Sequence, residues 1–296
     1  MERIFMKNSL LWHKAEKKFD SFYLHPTTIA VEQGSIMGLI GQNGSGKTTL
    51  IKLLFNLIRL DGGEIKVFDL DSRKQELQIK QRIGFVPDNN LFYEKFTPKD
   101  IHKILSKLYE NWQENLFFQY LEKFEIPKTK NIEHFSMGMK KKLLIAAALS
   151  HKAELLILDE PMNGLDPVAR GEIRDILQEF IETENHSVLL SSHITEDLEK
   201  IADYVTLIEK GQIVFSQNKE ILLENYGIAH IGKNEFSEIE KQYYVSFRKN
   251  AFGYDMLLKN KKAFLEKYSG AVVDNAHLED IMLFYHERKK GVTASC

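Results

Sequence analysis

Cysteine is almost absent: the single one, Cys296, is the last of 296 residues. No intramolecular disulfide and no cysteine-based metal cluster is expected, and a reducing cytoplasm fits. Neither charge sign dominates, because 40 Lys and Arg stand against 42 Asp and Glu, a formal net charge of −2. That balance gives no global electrostatic attraction to nucleic acid, and no nucleic-acid partner is expected. Long apolar runs are missing too. No stretch approaches the roughly 18 residues of a membrane-crossing helix, and Glu2, Arg3 and Lys7 surround only a short apolar stretch, so neither leader nor span is read. Any membrane role is expected to come through another chain. Repeats and low-complexity segments are lacking as well.

Enough apolar residues remain, 43%, for a sizeable core, and the length implies one large domain with a smaller appendage. The longest apolar run, Leu143 to Leu149, reads as a core helix segment. Just before it, Lys140-Lys141-Lys142 reads as a solvated helix face.

The richest segment is Gly41-Gln42-Asn43-Gly44-Ser45-Gly46-Lys47-Thr48-Thr49. Its glycines let the backbone bend into a nest whose N–H groups converge on an anion. Lys47 can then reach the β- and γ-phosphates of a nucleotide, and the Thr48 hydroxyl can ligate Mg²⁺. A strand reading over 35–40 precedes the loop. Leu50, Leu53, Leu54, Leu57 and Ile58 follow it at helical spacing, which completes strand, loop and helix.

Up to about Phe215 short β-rich runs alternate with helical patterns, predicting a mainly parallel sheet covered by helices. Strands are expected at 35–40, 83–86, 155–158, 187–191 and 204–208. Thr97-Pro98-Lys99-Asp100 opens a helix with a cap and an N1 proline. Ile101, Ile104, Leu105, Leu108 and Trp112 are expected on one of its faces, and helical texture continues to about Phe124. A helical subdomain over about 89–150 is expected, its aromatics serving as core. From 220 to 296 a small α/β appendage is read, with strands at 242–247 and 271–273 and a terminal helix over 278–288.

Leu155-Leu156-Ile157-Leu158 delivers Asp159-Glu160 to the end of a buried strand. A carboxylate there can hold Mg²⁺ and the next residue can accept a proton from attacking water, which assigns Asp159 to metal and Glu160 to base. The next strand ends at His193, whose imidazole can meet the γ-phosphate.

In this order the motifs resemble the nucleotide-binding subunit of an ATP-binding cassette (ABC) transporter, across roughly residues 7–216. The loop at 41–49 resembles Walker A, and 155–160 resembles Walker B. Phe135-Ser136-Met137-Gly138-Met139 resembles the signature, Asn163-Gly164-Leu165-Asp166-Pro167 the D-loop, and His193 the switch histidine. The resemblance implies a P-loop ATPase fold with antiparallel N-terminal strands and a nucleotide-binding unit over 1–219. It implies ATP and Mg²⁺, an aromatic (Phe19, or Phe22) stacked on adenine, and Asp166 near the nucleotide. Ser136 and Gly138 would contact ATP bound to a second cassette chain, in a homo- or heterodimer. A separate permease is implied, with this chain peripheral on the cytoplasmic face of the membrane.

Two departures stand out. Asp88 occupies the place of the Q-loop glutamine, where a carboxylate could still ligate Mg²⁺, and Met137 and Met139 replace the commonest signature residues. The textures at Val86-Pro87-Asp88, 93–97 and 277–282 resemble bacterial exporters of drugs, lantibiotics and amphipathic peptides. A soluble, non-transport cassette ATPase such as an assembly factor is the alternative.

Overall fold

Alternate residues of the central strands face opposite layers of core. In the computed structural model, which describes residues 7–89 and 91–288, Asn90, Cys296 and the N-terminal Glu2 and Arg3 lie outside the described residues. The chain opens with β1 (Asn8–Lys18), β2 (Tyr23–Glu32) and β3 (Ile36–Ile40), and α1 (Lys47–Leu54) follows the glycine loop. Next come β4 (Gly62–Val67), β5 (Leu70–Asp71), α2 (Glu76–Lys80) and β6 (Ile83–Val86). Three helices, α3 (Pro98–Leu108), α4 (Glu114–Lys123) and α5 (Met137–Leu149), separate β6 from β7 (Leu155–Asp159). The alternation then resumes through α6 (Pro167–Ile181), β8 (Ser187–Ser192), α7 (Thr195–Ile201), β9 (Tyr204–Glu209) and β10 (Gln212–Asn218).

The six-stranded sheet runs β10-β9-β3-β8-β7-β6, parallel except for β10 at one edge. Along β7, Leu156 and Leu158 face a core shared with α5, α6 and α7, while Leu155 and Ile157 face one shared with α1 and β1. Burial on both faces is why these strands read as unbroken apolar runs. A second, antiparallel sheet, β2-β1-β4-β5, covers the α1 side. All five strands expected in the main unit are present.

Thr97 caps α3 as a capping box, accepting the Asp100 N–H (3.3 Å) while Asp100 accepts the Thr97 N–H (3.1 Å). The helix ends at Leu108, however, and Trp112 sits in the turn before α4, donating to His102 Nδ1 at 3.0 Å. Ile101 is buried, whereas Ile104 and Leu108 are exposed. The apolar stripe is wider than the face the core can cover. The aromatics Phe117, Phe118, Tyr120 and Phe124 do pack into core.

Beyond β10 the chain forms α8 (Lys219–Asn225), β11 (Gly227–Gly232), β12 (Tyr244–Lys249), β13 (Gly253–Leu258), α9 (Lys261–Lys267), β14 (Val272–Asn275) and α10 (Leu278–Arg288). A third antiparallel sheet, β12-β13-β11-β14, encloses its own cluster of Ala229, Ile231, Met256, Leu258 and Phe264. The sequence readings at 242–247 and 271–273 fall on β12 and β14 displaced by about two residues or less, within the usual uncertainty of element ends. β11 and β13, with glycines at their ends and His230 or Asp255 inside, carried too little alternation to be read.

α10 returns to the main unit. Its Leu278, Ile281, Phe284 and Tyr285 join the core that holds Leu198 and Ile201 of α7. Glu199 of α7 accepts the Leu278 N–H (3.0 Å) and lies 2.8 Å from His277 Nδ1. The hydrogen bond to Glu199, helped by its charge, raises the His277 pKa above the ordinary histidine range. A histidine with a raised folded-state pKa adds stability below its unfolded value of about 6.5, lost as pH climbs through the folded value. His277→Gln is therefore expected to lower the melting temperature more at pH 6 than at pH 8. An equal loss at both would remove the charged latch. Among the described residues no helix is long and apolar enough to cross a membrane.

Candidate active site

The loop at 41–49 wraps the front of α1. Gly44 (φ +77°) and Gly46 (φ +121°) take backbone conformations that side chains resist, and a Cβ on Gly46 would come within 2.9 Å of Ile208. α1 has no side-chain cap, so its first N–H groups face outward beside the loop. The buried Ser45 hydroxyl has no hydrogen-bond partner among the described residues. Unfilled donors at a helix start are what a phosphate supplies with partners.

A cavity of about 550 Å³ opens here, lined by Phe19, Gln42, Asn43, Gly44, Ser45, Gly46, Lys47, Thr48, Thr49, Asp88 and Glu160, with Ser21 and Phe22. Phe19 is 42% exposed at its rim, whereas Phe22 packs inward near Gly46. Of the two aromatics, Phe19 presents the freer ring. Gly41 lies outside the lining, tight against the Ile208 carbonyl.

Lys47 is buried and fully engaged. Its ammonium donates to the Gly41 carbonyl at 2.6 Å and pairs with Glu160 Oε1 at 3.1 Å. Glu160 Oε2 meets His193 Nδ1 at 2.7 Å and the His193 N–H at 3.2 Å. Since a carboxylate accepts, Nδ1 carries the proton in this contact. One carboxylate thus bridges the loop lysine and the histidine at the end of β8.

Asp159 points to the other side. Its Oδ2 accepts from the Thr48 hydroxyl at 3.0 Å, and its Oδ1 accepts from Ser191 Oγ at 2.5 Å. Ser191 also accepts the Glu160 N–H at 3.0 Å. Glu160 itself has φ +49°, a left-handed turn that swings its side chain into the site immediately after the strand. Such a conformation costs about 1–3 kcal/mol and persists only where surroundings hold it. Neither Ser191 nor this turn was read from the sequence. The pair Ser191-Ser192 ahead of His193 was the available signal.

The structure overturns the reading of the lysine triplet. Lys140 pairs with Glu94 at 2.9 Å, and Lys142 pairs with Glu172. Lys141 is only 4% exposed. Successive residues turn about 100° around a helix, so three in a row cannot share one solvated face. Lys141 Nζ donates to the carbonyls of Pro87 (3.2 Å), Asp88 and Glu160 (3.4 Å), and lies 3.6 Å from Asp88 Oδ1. Burial pushes the Lys141 ammonium below the usual lysine range, with Asp88 the main opposing influence.

The signature residues stand apart from this cavity. Ser136 caps α5, accepting the Met139 N–H at 3.2 Å, so the helix starts at Met137. A neighbouring cavity is lined by Asp88, Met137, Lys141, Asn163 and Gly164 among others. A Cβ on Gly164 would come within 2.7 Å of Met137 Sδ, so the first signature methionine leans on the D-loop. Asp166 is the cap of α6, accepting the N–H groups of Val168 and Ala169 at 3.0 Å, and the Ala169 bond chiefly holds its carboxyl below the usual range. Ser136, Gly138 and Asp166 do not line the Lys47 cavity.

A family model described as ABC transporter matches residues 24–163. The ABC transporter ATP-binding protein YtrB of Bacillus subtilis (strain 168) is 32% identical over 203 residues, covering 69% of this chain and 69% of that protein. The bacitracin transport ATP-binding protein BcrA of Bacillus licheniformis is 36% identical over 216 residues, covering 72% and 68%. A solved ATP-binding subunit of an ABC transporter superposes with a TM-score of 0.65 at 24% identity, over 72% of this chain and 91% of its own. At that identity the likeness concerns the fold, which is the expected mainly parallel α/β cassette. Both relatives are transporter proteins, which favours transport over a soluble assembly role. The chain belongs to the ABC transporter family, as an ATP-binding subunit that hydrolyses ATP to power transport.

Proposed function

We propose that this chain works as half of a composite ATPase that drives a separate membrane permease exporting an amphipathic peptide, lantibiotic or drug. The observation that carries the reading is the placement of Glu160 between Lys47 and His193 at the wall of the phosphate cavity. The loop amides and Lys47 bind the triphosphate, Phe19 stacks on adenine, Glu160 takes the proton of the attacking water, and His193 orients Glu160 and meets the γ-phosphate. These are the positioning and electrostatic tasks that dominate phosphoryl transfer.

Mg²⁺ fits the hard oxygens that meet here, because this ion is commonly held by one or two carboxylates with phosphate oxygens and water. Thr48 and Asp159 would hold it, while the Asp88 carboxylate, 3.6 Å from Lys141 Nζ, is engaged by that ammonium; when bound, the ion would neutralise charge on the phosphates.

Ser136, Gly138 and Asp166 serve the ATP of a second cassette chain packed head to tail. Support comes from their separation from this chain's own phosphate cavity. The nucleotide-binding unit spans 1–219, with its helical subdomain at about 89–150, and 220–296 form the accessory unit. The separate apolar cluster of the third sheet supports this division. Exposed Leu77 and Leu108 sit on neighbouring elements, joined where Gln81 donates to the Leu108 carbonyl at 2.9 Å. They would give the permease an apolar seat, which supports a peripheral position on the cytoplasmic face of the membrane.

The relative named for bacitracin transport directs the cargo test. Cells lacking this chain are expected to become more sensitive to bacitracin and similar amphipathic peptides, with resistance restored by the wild type and not by Lys47→Ala. Unchanged sensitivity across that panel would remove the cargo assignment.

A further inference from the structure

We propose that Lys141 is a positioning residue for ATP hydrolysis: it pairs with Asp88 and fixes the backbone of the 87–88 loop and of Glu160 relative to one another. The inference rests on the reading of Glu160 as the base, and it accounts for a departure that reading leaves unexplained. Asp88 carries a charge where the family usually has a neutral glutamine. A glutamine amide both donates and accepts, whereas an aspartate only accepts, so a carboxylate at this place calls for a cation.

Lys141 supplies it from the first turns of α5. The side chain is 4% exposed, and its three N–H donors face three carbonyls, those of Pro87, Asp88 and Glu160, with Asp88 Oδ1 at 3.6 Å. A buried ammonium is costly unless paired and hydrogen-bonded, and this one is both. The contacts fall on the two backbone segments whose placement decides catalysis. One carries Asp88 at the cavity wall. The other is the Glu160 residue held at φ +49°, where its N–H is fixed by Ser191 and its carbonyl by Lys141. Lys141 lies five residues after Ser136 on the same helix. The segment expected to touch the partner's nucleotide is therefore rigidly joined to this chain's own carboxylates.

Three variants test the pairing: Lys141→Gln, Asp88→Gln and the two combined. Each single substitution is expected to lower kcat at least tenfold, with ATP affinity by calorimetry within about threefold of the wild type, while the combined neutral pair recovers to within about threefold. In nucleotide-free protein, exchange of the Asp88, Asn89 and Glu160 amides is expected to quicken at least tenfold in Lys141→Gln and return toward the wild type in the pair. A Lys141→Gln protein with wild-type kcat, or a pair no better than the worse single, would overturn the proposal. If a single variant fails to fold, the pair decides alone: folded and active supports the pairing, inactive and fast-exchanging overturns it. The functional reading fails separately, if the wild type hydrolyses no ATP.

Discussion

Glu160→Gln is expected to abolish turnover while tightening the hold on ATP. A positioned base contributes roughly 10²–10⁴ in rate, so kcat should fall by about that factor. The gain in affinity follows from the nucleotide-free geometry. Glu160 Oε1 lies 3.1 Å from Lys47 Nζ, so an incoming phosphate has to displace an anion from the ammonium. A neutral amide competes less, and a roughly threefold to tenfold lower Kd is expected, up to about 1.4 kcal/mol. With hydrolysis blocked, ATP should hold two chains together, seen as a dimer on gel filtration. A variant that stays monomeric with ATP while the wild type dimerises would sink the composite site, and one that turns over normally would remove Glu160 as base.

Lys47→Ala is expected to lose nucleotide. A hydrogen bond to a charged group contributes about 1.5–3 kcal/mol, and Lys47 would make such contacts to two phosphates, so affinity should drop by on the order of 10²-fold or more. Calorimetry reads this directly, and unchanged affinity would remove the phosphate assignment. Folding is expected to survive. Glu160 keeps His193 at 2.7 Å when the lysine is gone, so the loss of stability should stay below the roughly 3–5 kcal/mol of a buried charge left wholly alone.

The parts of this site that depend on local spacing were legible in the sequence. The glycine loop and the run Leu155–Leu158 ending in two acids each declare themselves within a few residues. What escaped needed the third dimension. Lys141 looks like its two neighbours until α5 is laid against the 87–88 loop and the carbonyl of Glu160. Ser191 gains its role only because β7 and β8 are adjacent and parallel, bringing its hydroxyl to both carboxylate residues. The left-handed turn at Glu160 has no sequence mark, since nothing but a glycine or asparagine would announce it. In the accessory sheet the missed strands β11 and β13 each carry glycine at an end, and they are held by cross-strand pairing more than by pattern.

The Glu199 cap has a mechanical consequence. α7 starts two residues after His193, and its carboxylate grips the first turn of α10 while Leu198 and Ile201 share core with Leu278 and Ile281. A shift of His193 would therefore be expected to reach the C-terminal helix through α7, a short, stiff lever. Trimming the chain ahead of Leu278 would unload that lever and lay bare the apolar side of α7, so the tail cannot be removed as if it were an ornament.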